Sequence, residues 1–286
     1  MRHDEPRLGE VSVERGAWRF ERPIDTGTDP YLLDHVVEGL PVFPAAYLVG
    51  LMTQAAHRIR PHLGVVGVRD VRFVQAARFR GTRGFQLAVT AEPEEAEPDD
   101  IPVVISSSMS PPREGSPRIL RTHAHGKVVL GTPKERAARF QRIDFSNAAD
   151  YAELYALPRE IQHGPAFLAG VKYQRHAPEQ LLAVVAPPGG PQRGWREDRD
   201  MPGWPSTLLN AILHVGFSLG VLSSARTLLP LELEAADLYA VPEGQVQVFA
   251  RRQGVHGGRQ AFHVVSWDGQ GRPVGVFRGF VLQEVP

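Results

Sequence analysis

The segment Asp34-His35-Val36-Val37-Glu38-Gly39-Leu40-Pro41-Val42-Phe43-Pro44 sets His35, Gly39 and Pro44 in the spacing H-x-x-x-G-x-x-x-x-P. It runs directly into Pro44–Ile59, an Ala-rich stretch that is apolar on most sides. A histidine on the approach to a buried helix can point into a tunnel and act there as a base. Gly39 would let the backbone come close to a ligand. The unpaired N–H groups of a helix start can face a carbonyl oxygen, favouring the negative charge that grows as a neighbouring carbon loses a proton. A lone histidine is more often structural, but the full spacing at the mouth of such a helix points to a base.

A second apolar segment, Pro205–Ala225, carries Asn210 and His214. At i, i+4 these two share a helix face, so His214 either orients the Asn210 amide or packs in the core. Between the two helical segments lies His163-Gly164-Pro165-Ala166-Phe167, whose histidine can titrate near neutral pH. His123 and His125 stand two apart in a strand-like run and so face one side. They have no Cys or carboxylate companion nearby, and no metal is expected. The chain has no cysteine, which excludes a disulfide framework, a Cys-ligated zinc site and a thiol nucleophile. It also lacks a Gly-rich phosphate loop and a G-x-S-x-G nucleophile turn.

These residues need a frame. Runs rich in β-branched and aromatic residues occupy Val68–Phe79, Gly84–Ala91, Ile101–Ser107 and Arg118–Leu130. A later set occupies Val171–Arg175, Leu181–Ala186, Leu228–Ala240, Gln245–Arg251, Gln260–Trp267 and Val274–Leu282. Glu92–Asp100, Pro111–Arg118 and Pro187–Arg196 have loop composition, and Gly254–Gly258 reads as a hairpin turn. Each proline that opens a helical segment suits a first helical position, where its missing N–H is not needed. A helix that is apolar all round must be enclosed. The pattern predicts an α+β fold, a double hotdog: two antiparallel sheets, each wrapped around a long central helix. Residues 1–140 would form the first hotdog and residues 141–286 the second, joined through Lys134–Arg142. By itself, the pattern fits a generic α+β domain equally well.

Four of these segments, taken in order, resemble the dehydratase domains of polyketide synthases. Asp34–Leu48 (DHVVEGLPVFPAAYL) looks closest to the iterative and polyunsaturated-fatty-acid-type branch. Val68–Phe79 resembles the strand after the first helix, His163–Phe167 a Y-G-P-x-F motif, and Trp204–His214 a P-x-L-L-D-A-x-x-Q/H segment. The resemblance implies that His35 takes a Cα proton. It also implies that Gly39, Pro44, His163, Gly164, Pro165, Phe167 and His214 contact substrate. No cofactor is implied beyond the phosphopantetheine arm of an acyl carrier protein, which would present the substrate. That carrier and the polyketide synthase modules are the implied partners, and the resemblance is compatible with a homodimer.

Two departures matter. Asn210 stands where the family has the aspartic acid that helps a hydroxyl leave as water, and an amide has no acidic proton to give. His163 stands where the family has Tyr, and as a titratable group it is a conceivable substitute acid. Keeping the base while losing the acid suits migration of an enoyl double bond from α,β to β,γ. Dehydratase-like isomerases show this Asp-to-Asn change but often lack the motif proline, which is kept here. The alternatives are a true 3-hydroxyacyl-thioester dehydratase, an oxa-Michael cyclase and a catalytically silent structural module.

Composition limits the partners. Lys+Arg and Asp+Glu are both 32, so the formal charge is zero and nucleic acid is not an expected partner. No apolar run approaches the roughly 18 residues of a membrane span, so no membrane is expected and a cytoplasmic location is the default. Arg78, Arg80 and Arg83 are the basic candidates for docking an acidic carrier.

Overall fold

The computed structural model describes residues 7–79, 85–94, 99–108, 120–132, 140, 143–157, 160–189, 194–195, 202–224 and 226–285. Helix α1 spans Ala45–Ile59, α2 is a single turn at Ala152–Tyr155, and α3 spans Ser206–Val221. Nearly every residue of α1 and α3 is buried, as their all-round apolar composition demands. Pro44 and Pro205 sit one position earlier than expected, as caps rather than first helical residues. Both have extended backbone, which the ring permits. Their carbonyls accept first-turn N–H groups, from Tyr47 at 3.0 Å and from Leu209 at 3.1 Å.

In the first half, β1 (Glu10–Glu14) and β2 (Ala17–Ile24) form a hairpin, and β3 (His35–Val37) and β4 (Leu40–Pro41) a very short one. After α1 come β5 (Gly64–Phe73), β6 (Phe85–Ala91), β7 (Asp100–Ser108) and β8 (Leu120–Gly131). In the second half, β9 (Ala149–Asp150), β10 (Ile161–His163), β11 (Gly170–Ala177) and β12 (Gln180–Val185) precede α3. It is followed by β13 (Thr227–Leu238), β14 (Val246–His256), β15 (Arg259–Asp268) and β16 (Pro273–Val285). Along β15, Gln260, Phe262 and Val264 face the core while Ala261, His263 and Val265 are half-buried, the period of two that one-sided burial imposes. The sequence reading missed β1 and β2, whose charged residues mask the alternation.

The fold is the expected double hotdog, but its two large sheets are fused. Thirteen strands form one sheet in the order β1-β2-β6-β7-β8-β5-β13-β16-β15-β14-β12-β11-β9. The seam is the antiparallel pairing of β5 with β13, from Arg72 opposite Glu232 to Gly67 opposite Asp237. Each strand would otherwise be a sheet edge with unpaired N–H and C=O groups, and pairing removes both edges at once. Ion pairs cross the seam between Arg69 and Asp237 at 2.6 Å and between Arg72 and Glu232. A separate three-stranded sheet, β10-β3-β4, draws on both halves. The expected loop Pro111–Arg118 lies outside the described residues. So does the linker Lys134–Arg142 apart from Phe140, whose ring stacks on Trp267 at 5.0 Å. Among the described residues no helix is long and apolar enough to cross a membrane.

α1 and α3 also pack on each other. Gly50 of α1 lies so close to Ser206 that a Cβ there would collide with its hydroxyl. Beside it, Thr53 Oγ1 donates to the Gly50 carbonyl at 2.8 Å and accepts the Trp204 N–H at 2.9 Å. Gly50→Ala is therefore an overpacking change between two enclosed helices. It should cost about 1–3 kcal/mol, read as a lower urea midpoint at unchanged slope. A midpoint equal to wild type would mean that the helices separate more freely than this contact implies.

Candidate functional site

His35 is positioned by a chain of local bonds. Upstream, the buried Asp29 carboxylate accepts from Arg22 at 2.5 Å, the Tyr31 hydroxyl at 3.0 Å and the Thr28 hydroxyl at 3.0 Å. That fixes the one-turn 3-10 helix Pro30–Asp34 that delivers His35. Downstream, Glu38 and Gly39 turn the chain with φ of 51° and 76°, so β4 folds back on β3. The Val42 N–H donates to the His35 carbonyl at 2.9 Å, and the Val42 carbonyl lies 2.8 Å from His35 Nδ1. A carbonyl only accepts, so the proton sits on Nδ1 and Nε2 carries the lone pair.

The second half reaches in through β10, which pairs antiparallel with β3 and sets His163 directly opposite His35. The two rings meet edge-on with centroids 5.4 Å apart. Asp34 clamps the junction. Its carbonyl accepts the Gly164 N–H at 2.7 Å and its carboxylate the Ala166 N–H at 3.0 Å. Phe167 then packs on the His35 ring at 5.3 Å and on Tyr47 at 5.2 Å.

A cavity of about 310 Å³ opens beside these residues. The expected residues His35, Pro44, His163, Asn210 and His214 all line it, together with Ala45 and Ala46 at the start of α1. Most of the remaining wall is apolar, including Val37, Leu48, Leu213, Phe217, Leu228 and Phe280. Among the described residues no carboxylate and no hydroxyl lines it. Nor, among the described residues, does any internal hydrogen bond hold the Asn210 amide.

Four expected substrate contacts are not in that wall. Gly39 serves the turn, and its open side faces no neighbour. Gly164 is required because the Asp34 side chain occupies the place of a Cβ. Pro165 and Phe167 complete the brace behind His35. His214 does not orient Asn210. Its Nδ1 lies 3.3 Å from both the Tyr151 hydroxyl and Ser218 Oγ. His123 and His125 do not share a side, because a bulge in the β7–β8 ladder displaces His123. His123 turns inward to the cavity, with Nδ1 2.9 Å from the Gln75 carbonyl and Nε2 2.7 Å from Ser107 Oγ, while His125 is exposed. Sequence reading missed Tyr151 and Tyr155, whose tilted rings pack against His214 with centroids 5.9 and 4.7 Å away. Arg78, a docking candidate, pairs with Glu38 at 2.9 Å, and Arg80 and Arg83 lie outside the described residues.

Burial dominates the electrostatics. It pushes His35 down to about 4, against the pull of the Val42 carbonyl. His214 falls to about 3 through burial and the nearby His35. His163 lies well below the usual histidine range, through burial first and then the neighbouring His214 and His35. The Tyr155 hydroxyl is pushed up to about 12 by burial. All three imidazoles are neutral at pH 7.

Residues 6–108 match the family described as the polyketide synthase dehydratase domain. That match, a curated relative and the solved structures make the chain similar to the dehydratase domains of polyketide synthases. It is 27% identical over 269 residues to polyketide synthase GfsA of Streptomyces halstedii, covering 92% of this chain and 3% of that protein. The chain thus spans about 3% of the length of the curated relative it matches. Among solved structures, the dehydratase domain of the CurF module of curacin polyketide synthase superposes with a TM-score of 0.76. It is 21% identical, covering 97% of this chain and 98% of that one. An inactive Asp-to-Asn mutant of the CurK dehydratase superposes with a TM-score of 0.75 at 18% identity, covering 98% of each chain.

The depressed histidines carry a stability signature. An unfolded imidazole binds a proton below about pH 6.5, and the folded ones here do not until lower pH. Stability is therefore complete above pH 6.5 and is lost as pH falls towards about 4, the value for His35. Each such histidine contributes about 1.4 kcal/mol per pH unit within that window. Between pH 6.5 and 5 few carboxylates titrate, so the slope there belongs to histidines. Urea midpoints should be flat from pH 8 to 7 and fall below 6.5, and His214→Gln should remove about one proton from the slope. A slope unaltered by His214→Gln would mean that His214 is already protonated in the folded chain.

Proposed function

We propose that this domain shifts the double bond of an enoyl thioester from α,β to β,γ while an acyl carrier protein holds the acyl chain on its phosphopantetheine. His35 Nε2 removes the Cγ proton, and the electrons move through the conjugated system onto the thioester oxygen. The imidazolium of His35 then returns the proton at Cα. One proton is borrowed and returned, no water leaves, and no cofactor takes part. Pro44 and the first N–H groups of α1 border the cavity where the oxygen gains charge.

The observation that carries this reading is a cavity with an available imidazole base and no carboxylate among its described lining residues. Expelling hydroxide needs an acid, and loss of an acid catalyst costs ~10²–10⁴-fold. The inactive Asp-to-Asn mutant of the CurK dehydratase illustrates the same exchange of residue types in a dehydratase. His163, held neutral by burial, is a poor stand-in acid, which argues against the dehydratase alternative.

The test is mass spectrometry of carrier-bound substrates in deuterated water. An enoyl thioester should gain deuterium at Cα and Cγ without change of composition, and a 3-hydroxyacyl thioester should lose water slowly. His35→Ala should abolish the exchange with the fold intact by circular dichroism. Asn210→Asp should raise water loss about 10-fold or more, because a carboxyl in this apolar wall has a raised pKa and can donate. Rapid water loss by the wild type would sink the isomerase reading in favour of dehydration.

A further inference from the structure

We propose that His163 is the hydrogen-bond donor that holds the substrate's thioester carbonyl oxygen while His35 removes the proton. The inference deepens the preceding reading and rests on His35 as the base. His163 reaches the cavity from the opposite half of the chain, one cross-strand position from His35, with the rings edge-on at 5.4 Å. A base and a donor facing each other across one ladder suit a proton and an oxygen carried on neighbouring carbons of one acyl chain.

The other imidazoles around the cavity, apart from the base His35, have their nitrogens committed or enclosed. Both nitrogens of His123 have partners, the Gln75 carbonyl and the Ser107 hydroxyl. His214 shares its Nδ1 with Tyr151 and Ser218, and its Nε2 is enclosed without a partner. In His163 the enclosed, unpartnered atom is Nδ1. A proton there would be a buried donor with nothing to accept it, which proteins avoid more strictly than an idle lone pair. The proton therefore belongs on Nε2, the nitrogen left for a ligand. Among the described residues no hydrogen bond engages that nitrogen, which leaves it open to an acceptor carried by the substrate.

The environment also fixes the kind of donor. Burial and the neighbouring His214 and His35 keep His163 uncharged, so it acts as an imidazole rather than an imidazolium. A neutral imidazole with a depressed pKa can polarise a carbonyl without giving up its proton. When His35 takes the carbon-bound proton, the electron pair moves onto the oxygen and the bond from His163 strengthens. When His35 returns the proton, the oxygen charge is withdrawn and His163 is unchanged.

Isotope-edited infrared spectra of a bound, unreactive saturated acyl-pantetheine thioester, labelled with 13C at the carbonyl, test this directly. The carbonyl stretch should lie lower on wild type than on His163→Phe, which keeps the ring packing against His214 and Tyr155. His163→Gln and His163→Tyr, which retain a donor, should restore much of the shift. In parallel, kcat for deuterium exchange should fall about 10²–10³-fold in His163→Phe with little change in KM. Equal carbonyl frequencies on wild type and His163→Phe, with binding verified by calorimetry, would overturn the proposal. Wild type alone gives a second check, since His163 with its titratable neighbours His35, His214 and Tyr155 stays neutral from pH 8 to 5.5. The carbonyl shift should hold constant over that range, and a shift that grows on acidification would overturn the neutral donor. His35→Ala should keep the shift while losing exchange, so failure of the base and failure of the donor are separate results.

Discussion

Three residue pairs between β3 and β10 hold this site together, because they are where the two halves of the chain exchange backbone hydrogen bonds around the cavity. His35 comes from the first half and His163 from the second, and neither half contains the pair. Asp34 reinforces the junction with its carbonyl and its carboxylate, and a Cβ at residue 164 would destroy that fit. In a strand, side chains alternate faces, so a slip of one residue in this ladder would turn His163 away from His35. The precision of the site is therefore a property of backbone pairing, with the side chains following.

The second constraint is desolvation. A wall of Val, Leu and Phe makes a charged imidazole costly, so the site rests with its histidines neutral. That state suits a base: His35 presents a lone pair at neutral pH, and its imidazolium is unstable enough to give the proton back. The same wall strengthens any hydrogen bond to an oxygen that acquires charge inside it. With no carboxylate among the described lining residues to share the charge, the site suits the proposed chemistry, in which the proton leaves His35 as readily as it arrived.

Much of this was legible in the sequence, for physical reasons. The two central helices announce themselves because only an enclosed helix can be apolar on every side, and the H-x-x-x-G-x-x-x-x-P spacing singled out His35, which lines the cavity. Spacing says less about local backbone demands. Gly39 read as a place of ligand approach, and it also serves a left-handed turn, while Gly164 clears room for Asp34. His123 and His125 read as a same-side pair because period two assumes an unbroken ladder, and a bulge breaks it. Tyr151 and Tyr155 were overlooked because nothing local in their segment marks them as partners of His214, more than fifty positions away. The fusion of the sheets depends on a pairing between strands some 160 positions apart, which no local pattern reports.

That seam bears on how such a domain can be recombined. β5 and β13 bury their edges in each other, and the ion pairs of Arg69 and Arg72 tie side chains across the same line. Cut between the hotdogs, each fragment would expose a long, partly apolar strand edge and lose one of the two facing histidines. The unit of inheritance is thus the whole double hotdog. Exchange between relatives would succeed at its outer loops and fail at its middle, where the apparent repeat invites the cut.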